Sequence, residues 1–270
     1  MSTKGQDATN FKNIDQTSDP RFFIEFLELR KTAEGEREVK ELILHMLGVT
    51  AGARVLDVGC GLGDDAREIA AIVGAEGRVV GIDPSETMVT ESNKRASGSG
   101  LTVEFRIGDV RKLDFPDASF DFVRTDRVLM FVSEIETALS EIVRVLRPGG
   151  RVVASEIDHE MHFQDSHFPE TSRKVWAVFA ANQPQPRLGR ELHRLFSEHG
   201  LRNVKTAPRV VRPPYKTWRR LVEGFLASAI AHGQLDRAEI DSLLSDLEAL
   251  DQARLFNDGV VIFTASGEKA

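Results

Sequence analysis

The chain has 270 residues, of which 41% are hydrophobic and 29% charged, and its formal net charge at pH 7 is −7. A net negative charge without a block of lysine or arginine disfavours a nucleic-acid-binding surface, which depends on clustered cations. No stretch approaches the roughly 20 apolar residues of a membrane-spanning helix, and the single cysteine, Cys60, excludes an internal disulfide. We therefore expect a soluble cytoplasmic protein with no membrane span and no nucleic-acid partner.

Residues 20–47 carry apolar side chains at helical spacing ahead of the first predicted strand. We expect segment 1–48 to form a helical lid over a binding site. Its apolar face would present Phe22, Phe23, Phe26 and Leu29, and Arg30 would offer a cation to a ligand carboxylate. The alternative is that this face only packs on the body of the protein.

Short β-branched runs then alternate with amphipathic segments. The predicted strands are RVLDV (54–58), RVVGID (78–83), TVEFRIG (102–108), FDFVRT (120–125) and RVVASEI (151–157). This alternation predicts a parallel sheet with helices on both faces. Two segments with proline clusters and helical patterns, about 159–187 and 212–252, interrupt the alternation and are predicted as cap insertions.

The turn after the first predicted strand reads DVGCGLG, residues 57–63. In an open parallel sheet, ligands bind beyond the carboxyl ends of the strands, where strand order reverses. Glycine lets a ligand lie against the backbone, where a Cβ atom would collide with it. Asp83 ends the second predicted strand, 20 residues after Gly63, the usual place for a carboxylate that accepts ribose hydroxyls. These features predict an adenosine-containing cofactor.

Two acidic residues after this turn distinguish between kinds of cofactor. A dinucleotide site has the pattern Gly-x-Gly-x-x-Gly/Ala, so that a pyrophosphate can lie on the helix N-terminus. Counted from Gly59, the sixth position is Asp64, followed by Asp65. These carboxylates would repel a diphosphate and can cap the helix themselves. S-adenosylmethionine has no phosphate, and carboxylates such as Asp57 can balance its sulfonium and ammonium charges, so we predict this cofactor.

Five segments in order resemble the class I S-adenosylmethionine-dependent methyltransferases, in particular small-molecule members of the ubiquinone/menaquinone methyltransferase type. The segments are VLDVGCGLG, VVGIDPSETMV, RIGDVRKLDFPDASFDFV, DRVLMFV and RVLRPGGRVVASE, within about residues 50–157. The resemblance implies an α/β fold, with a doubly wound, mostly parallel, Rossmann-like sheet of seven strands and helical cap elements. Residues 49–270 would form this methyltransferase domain.

The resemblance also implies roles for individual residues. The glycine turn would flank the methionine part of the cofactor, with Asp57 near its ammonium group. Asp83 would accept from the ribose hydroxyls, and Asp109 and the Val110 amide would contact the adenine. With Arg30 from the N-terminal segment, the predicted cofactor-binding residues are Arg30, Asp57, Gly59, Cys60, Gly61, Gly63, Asp83, Pro84, Ser85, Met88, Asp109, Val110 and Thr125.

Methyl transfer from a sulfonium depends mainly on alignment and desolvation. A hydroxyl or acidic-carbon acceptor also benefits from a general base, and histidine suits neutral pH. The stretch SEIDHEMHFQDSHF (155–168) follows the fifth predicted strand. We predict His159 and His162 as candidate catalytic residues, with solvated loop histidines as the alternative. The histidines lack a regular helical spacing, so we predict no metal ligand.

The sequence thus predicts a methyltransferase that acts on O, N or C of a small, largely apolar metabolite by in-line displacement. Methyltransferases of nucleic-acid adenine or glutamine carry Asn/Asp-Pro-Pro-Tyr/Phe after the fourth strand, where this chain has RTDRVLM, residues 124–130. Two other classes stay open: a nucleotide-dependent oxidoreductase, and an S-adenosylmethionine-binding module without turnover. The oligomeric state is not predicted.

Overall fold

The computed structural model describes residues 11–270. Residues 1–10, the start of the predicted lid segment, lie outside the described residues. The described part begins with a 3-10 helix, Phe11–Gln16. The elements that follow are α1 (Arg21–Arg30), α2 (Glu36–Leu47), β1 (Arg54–Val58), α3 (Asp64–Val73), β2 (Arg78–Asp83), α4 (Glu86–Ala96), β3 (Val103–Ile107), β4 (Phe120–Asp126), α5 (Ile135–Val145), β5 (Leu146–Gln164), α6 (Pro169–Ala181), α7 (Leu188–Glu198), β6 (Leu201–Val211), α8 (Tyr215–Ala231), α9 (Arg237–Gln252) and β7 (Asp258–Lys269).

The strands of this part of the chain form one seven-stranded sheet in the order β3-β2-β1-β4-β5-β7-β6. Neighbouring strands from β3 to β5 pair in parallel, whereas β7 runs antiparallel to both β5 and β6. The predicted doubly wound, mostly parallel sheet is therefore confirmed. Strand order reverses at β1 and β4, so the carboxyl ends of these two strands border the cleft where this fold binds ligands.

Helices cover both faces of the sheet because its central strands are apolar on both sides. In β1, Val55 packs into a cluster with Ile43 of α2 and Ile69 of α3. The next residue, Leu56, packs into the opposite cluster with Ile142 of α5 and the apolar face of α7. Residues 55–58 of β1 are thus buried, and they hold in place the glycine turn at the carboxyl end of the strand.

Strand β5 is longer than the sequence predicts. It continues to Gln164, seven residues beyond Ile157, because the 12-residue β7 supplies pairing partners as far as Gln164. The pairing register shifts between Asp158 and His162. The first residues of the predicted cap insertion 159–187 therefore belong to the sheet. His159 and His162 lie near the carboxyl end of β5.

Helices α1 and α8 come together over the glycine turn. Phe22, Phe23 and Phe26 of α1 pack in one cluster with Leu62 of that turn and Met88 of α4. The Arg220 guanidinium of α8 lies 4.7 Å from the Phe22 ring centroid and 2.7 Å from the Glu25 carboxylate. Helices α6, α8 and α9, from the two predicted cap insertions, share a further apolar cluster. No helix within residues 11–270 is long and apolar enough to cross a membrane.

Candidate active site

A cavity of about 710 Å³ opens at the carboxyl ends of β1, β2, β4 and β5. It brings together nine of the predicted site residues: Arg30, Gly59, Cys60, Gly61, Asp83, Pro84, Met88, His159 and His162. Helix α1 contributes Phe26 and Leu27, and α8 contributes Thr217 and Leu221. A single cavity thus connects the glycine turn with the histidines of β5.

The glycine turn is bare on its cavity side. Gly59 and Gly61 have φ values of +70° and +51°, which glycine adopts without strain. The amides of Gly59 and Cys60 both donate to the Ile82 carbonyl, at 2.7 and 2.9 Å. A Cβ atom on Gly59 would lie 2.2 Å from Val128 Cγ2. The backbone is therefore fixed in place, with no room for a side chain at this position.

Gly63 has a different part in the turn. A Cβ atom here would lie 2.5 Å from Phe105 Cζ and 2.9 Å from Ser92 Cβ. Gly63 is the N-cap residue of α3, and no side chain caps this helix. The prediction that Asp64 and Asp65 can cap it is wrong, because neither carboxylate makes a capping hydrogen bond and they pair instead with Lys31 and Lys40.

Asp83 presents an oriented carboxylate to the cavity. Its Oδ2 accepts from the Gly61 amide at 3.0 Å, and its Oδ1 accepts from the Ser85 amide at 2.9 Å. Burial raises the pKa of Asp83 to about 6, although these two amides oppose the shift. Each carboxylate oxygen can accept a further hydrogen bond. Pro84 and Met88 lie beside it on the cavity wall, while Ser85 caps α4.

The remaining predicted cofactor residues do not line this cavity. The Asp109 carboxylate faces the exposed Arg111 guanidinium, at 2.6 Å. Val110 lies in the hydrophobic core. Thr125 is fully buried, and its Oγ1 has no hydrogen-bond partner among residues 11–270.

A buried network of charged side chains joins α2, α3 and the carboxyl end of β4. Arg124 Nη1 lies 2.7 Å from Asp57 Oδ1, and Arg124 Nη2 lies 2.9 Å from Asp65 Oδ2. Lys40 Nζ bridges Asp65 and Asp126, at 2.5 and 2.7 Å. Of these residues, all but Asp57 line the cavity. The network holds α2 against the ends of the strands.

A second part of the network reaches α1. The Arg127 guanidinium contacts both carboxylate oxygens of Glu36 at 2.7 Å. Arg30 Nε lies 3.7 Å from Glu36 Oε1, and it is buried without a hydrogen-bond partner in the described part of the chain. Arg30 therefore retains donor capacity toward a ligand in the cavity.

The network keeps one carboxylate ionised beside the glycine turn. For Asp65, burial alone raises the pKa, but the attraction of Arg124 and Lys40 outweighs it and the pKa is lowered.

Sequence reasoning did not identify Lys40, Arg124 or Asp126 as site residues. The available signal for Arg124 and Asp126 is the charged run RTDR at the carboxyl end of β4.

Cys60 is buried and free, and burial raises the pKa of its thiol well above the usual value. The thiol is therefore protonated at neutral pH and a poor nucleophile. Its side chain fills space in the turn.

The two predicted catalytic histidines lie in an aromatic wall of the cavity. The His162 ring stacks on Trp176 with centroids 3.5 Å apart, and its Nε2 lies 3.0 Å from Asp258 Oδ1. The His159 ring lies 5.3 Å from that of Phe179, and burial lowers its pKa to about 4. His159 is therefore neutral at pH 7.

Three other ionisable residues of the 155–168 stretch have partners of their own. Glu156 accepts from the backbone amides of residues 128–130, at 2.9 to 3.2 Å. Asp158 forms an ion pair with Arg190, and the exposed His167 pairs with Asp246. In the part of the chain that is described, no three His, Cys, Asp or Glu side chains converge to form a metal site.

Residues 49–200, which are 152 of the 270 residues, match a family model described as a methyltransferase domain. The chain belongs to this methyltransferase family. A demethylmenaquinone methyltransferase of Bacillus velezensis is 30% identical over 212 residues, covering 72% of this chain and 86% of the relative. These matches confirm a class I S-adenosylmethionine-dependent methyltransferase domain.

Two further matches extend beyond the family region. An uncharacterised 37.1 kDa protein in transposon TN4556 of Streptomyces fradiae is 33% identical over 79% of this chain. The chain spans 65% of that relative's length, just under two thirds. A solved phosphoethanolamine N-methyltransferase 2 of Haemonchus contortus, bound to S-adenosylhomocysteine, has a TM-score of 0.63 at 18% identity. The match covers 98% of this chain and 61% of the solved chain, and it shows that the two folds are alike.

The cofactor of this family is S-adenosylmethionine, and the cavity residues fit it. The Gly59 and Gly61 backbone lies on the cavity wall with no side chain of its own, and Asp83 has free acceptor capacity for ribose hydroxyls. Arg30 has an unpartnered buried donor, which suits the cofactor's carboxylate. Asp65 is an ionised carboxylate on the cavity wall, which suits a positively charged ligand.

Proposed function

We propose that this protein transfers a methyl group from S-adenosylmethionine to O, N or C of a small, largely apolar metabolite. The observation that carries the proposal is the continuity of one cavity from the glycine turn to the aromatic wall of β5 and α6. A cofactor on the turn and an acceptor against the wall would share one enclosed space. In-line displacement requires this arrangement, because nucleophile, methyl carbon and sulfur must align.

Within this proposal, the cavity-lining predicted residues hold the cofactor. Asp83 would accept from the ribose hydroxyls, the Gly59–Gly61 backbone would flank the methionine part, and Arg30 would face its carboxylate. The bound cofactor supplies a methyl carbon on a positively charged sulfur. Roles for Asp57, Gly63, Ser85, Asp109, Val110 and Thr125 in cofactor binding remain predictions, since these residues are not part of the cavity lining.

The residues of α1 and α8 would act as a roof. Phe26, Leu27 and Leu221 present apolar groups to the cavity, and together they would exclude water and favour an apolar acceptor. His159 or His162 would serve as general base for an acceptor that loses a proton. We also propose a cytoplasmic location, whose reducing conditions suit the free thiol of Cys60.

The test has a binding step and a turnover step. Calorimetry should show that the purified chain binds S-adenosylmethionine and S-adenosylhomocysteine but not NAD(H) or NADP(H). Incubation with labelled S-adenosylmethionine and a metabolite extract should then label a small molecule. Binding of nicotinamide cofactors instead would support the oxidoreductase alternative. Cofactor binding without labelling of any extract component would support a binding module without turnover.

A further inference from the structure

A buried acid, Glu156, holds the segment that follows β4. The residue lies in β5 and is 0% exposed. Its Oε1 accepts from the amides of Val128 and Leu129, at 3.2 and 2.9 Å, and its Oε2 accepts from the Met130 amide at 3.2 Å. One side chain of β5 thus binds three successive backbone amides of the neighbouring segment.

The local backbone explains why these amides need an acceptor from outside their own segment. Strand β4 ends at Asp126, and a short 3-10 helix, Leu129–Phe131, follows. The first hydrogen bond of this helix runs from the Phe131 amide to the Val128 carbonyl. The i to i+3 pattern therefore gives the preceding amides no acceptor. Buried amides without a partner destabilise the fold, and Glu156 supplies the missing acceptor.

The same segment packs on the glycine turn. Val128, Met130 and Phe131 line the cavity, whereas Glu156 is not part of the lining. A Cβ atom on Gly59 would lie 2.2 Å from Val128 Cγ2 and 2.8 Å from Val128 Cγ1. The Val128 side chain thus occupies the space beside this glycine. Its position limits where the backbone of the turn can lie.

We propose that Glu156 is a positioning residue of the cofactor site, which acts through Val128 on the backbone at Gly59. The inference rests on the proposed function, in which this backbone flanks the methionine part of the cofactor. A binding site keeps its productive geometry when packing and hydrogen bonds behind it hold it in place. Glu156 lies behind the cavity wall, so its effect on cofactor affinity is indirect.

A carboxyl group suits this task because it has two acceptor oxygens. In either protonation state, each oxygen of Glu156 keeps an electron pair for a backbone amide. Glutamine has the same shape but only one acceptor oxygen, and its NH2 group would face the Met130 amide, donor against donor. Glu156→Gln therefore disturbs at least one of the three hydrogen bonds and leaves the packing volume almost unchanged.

Glu141 of α5 offers a matched control. Its Oε2 accepts from the Leu113 amide at 2.8 Å, and neither residue is part of the cavity lining. Glu141→Gln thus alters a contact between a carboxylate and a backbone amide away from the site. The test variants are Glu156→Gln, Val128→Ala and the double variant. Far-UV circular dichroism and urea denaturation establish that each variant is folded under the assay conditions.

The first measurement is calorimetry with S-adenosylhomocysteine. Glu156→Gln and Val128→Ala should each raise the Kd by about 10-fold, within the range for substitutions that act on a site without contacting its ligand. Glu141→Gln should leave the Kd unchanged. If Glu156 acts through Val128, the double variant should bind no more weakly than the weaker single variant, because the two effects are then not additive.

Amide NMR spectra give a second readout, which a general loss of stability does not change. In Glu156→Gln, the amide resonances of Met130 and Gly59 should both shift, because the altered segment lets the turn move. In Glu141→Gln, both resonances should stay in place.

A third measurement uses the wild type and needs no variant to fold. Coupling between two sites is reciprocal, so a segment that supports cofactor binding is itself stabilised by the bound ligand. S-adenosylhomocysteine should therefore slow hydrogen exchange at the amides of residues 128–130.

Four results would each overturn this inference alone. They are a wild-type Kd in folded Glu156→Gln or Val128→Ala, additive effects in the double variant, an unshifted Gly59 resonance in Glu156→Gln, and hydrogen exchange at residues 128–130 that the ligand leaves unchanged. A wild type that binds no S-adenosylhomocysteine would overturn the proposed function and this inference together.

Discussion

Arg124 Nη1 lies 2.7 Å from Asp57 Oδ1, and the two side chains are 3% and 0% exposed. The pair links β4 to β1 just before the glycine turn. Burial raises the pKa of Asp57 to about 6, against the attraction of Arg124. Arg124 of the neighbouring strand is thus the main group that favours the charged form of Asp57, with a smaller contribution from Lys40.

Replacing Arg124 should therefore destabilise the protein strongly. We expect Arg124→Met to lower the free energy of unfolding by about 3–5 kcal/mol, the usual result of leaving one member of a buried pair alone. Urea denaturation measures the free energy of unfolding of the variant and of the wild type. The control is Arg111→Gln, which removes an exposed partner of Asp109 and should cost at most about 1 kcal/mol. Similar losses in the two variants would contradict the structural role of the buried pair.

Asp83 should contribute directly to cofactor affinity. Asp83→Ala removes the carboxylate proposed to accept the ribose hydroxyls and should weaken S-adenosylmethionine binding by about 1.5–3 kcal/mol, the range for hydrogen bonds to a charged group. Calorimetry on folded protein measures the change, with Asp114→Ala on an exposed loop as the control. Unchanged affinity in Asp83→Ala would refute the ribose assignment.

Glu156 should make stability depend on pH. Burial raises its pKa to about 8, although three backbone amides oppose the shift. Between its ordinary pKa of about 4.5 and 8, the folded state holds this proton more tightly than the unfolded state, so stability falls as pH rises. The contribution is at most about 1.4 kcal/mol per pH unit. Urea unfolding from pH 5 to pH 8 should show a steeper decline for the wild type than for Glu156→Gln; parallel curves would argue against the raised pKa.

Cys60 should be dispensable for chemistry. Its thiol is buried and protonated, so Cys60→Ala should keep most of the methyltransferase activity and the cofactor affinity. In the folded wild type, the thiol should also react slowly with a thiol reagent such as DTNB, and quickly after denaturation. Loss of all turnover with cofactor binding intact would indicate thiol chemistry instead.

The roof formed by α1 should be required for turnover but not for folding of the sheet. Deleting residues 1–30 removes α1 and Arg30, but leaves α2, whose Val39, Ile43 and Leu47 pack on the sheet. We expect the truncated protein to stay folded, with a circular dichroism spectrum that lacks only the helical signal of the deleted segment, and to lose methyl transfer, because water reaches the sulfonium. Turnover at the full-length rate would show that the carboxyl-terminal part builds the acceptor pocket alone.

The sequence by itself determined the features that depend on neighbouring residues. The alternation of strands and helices, the bare turn DVGCGLG and Asp83 at the end of β2 are local patterns, and the sheet then brings them together because parallel strands share one carboxyl edge. The likeness of five ordered segments sufficed to predict the family that residues 49–200 confirm.

Only the tertiary structure decided how the charged and polar groups pair. Asp258 follows His162 by 96 residues and meets it because β7 returns antiparallel beside β5. Lys40 and Asp126 are 86 residues apart, and α2 carries the lysine to the end of β4. The residues at 159, 162 and 167 are all histidine, yet their surroundings differ. His159 Nε2 is buried with no hydrogen-bond partner among residues 11–270, His162 lies buried beside Asp258, and His167 is exposed beside Asp246. Strand register and burial distinguish them, and neither can be obtained from local spacing.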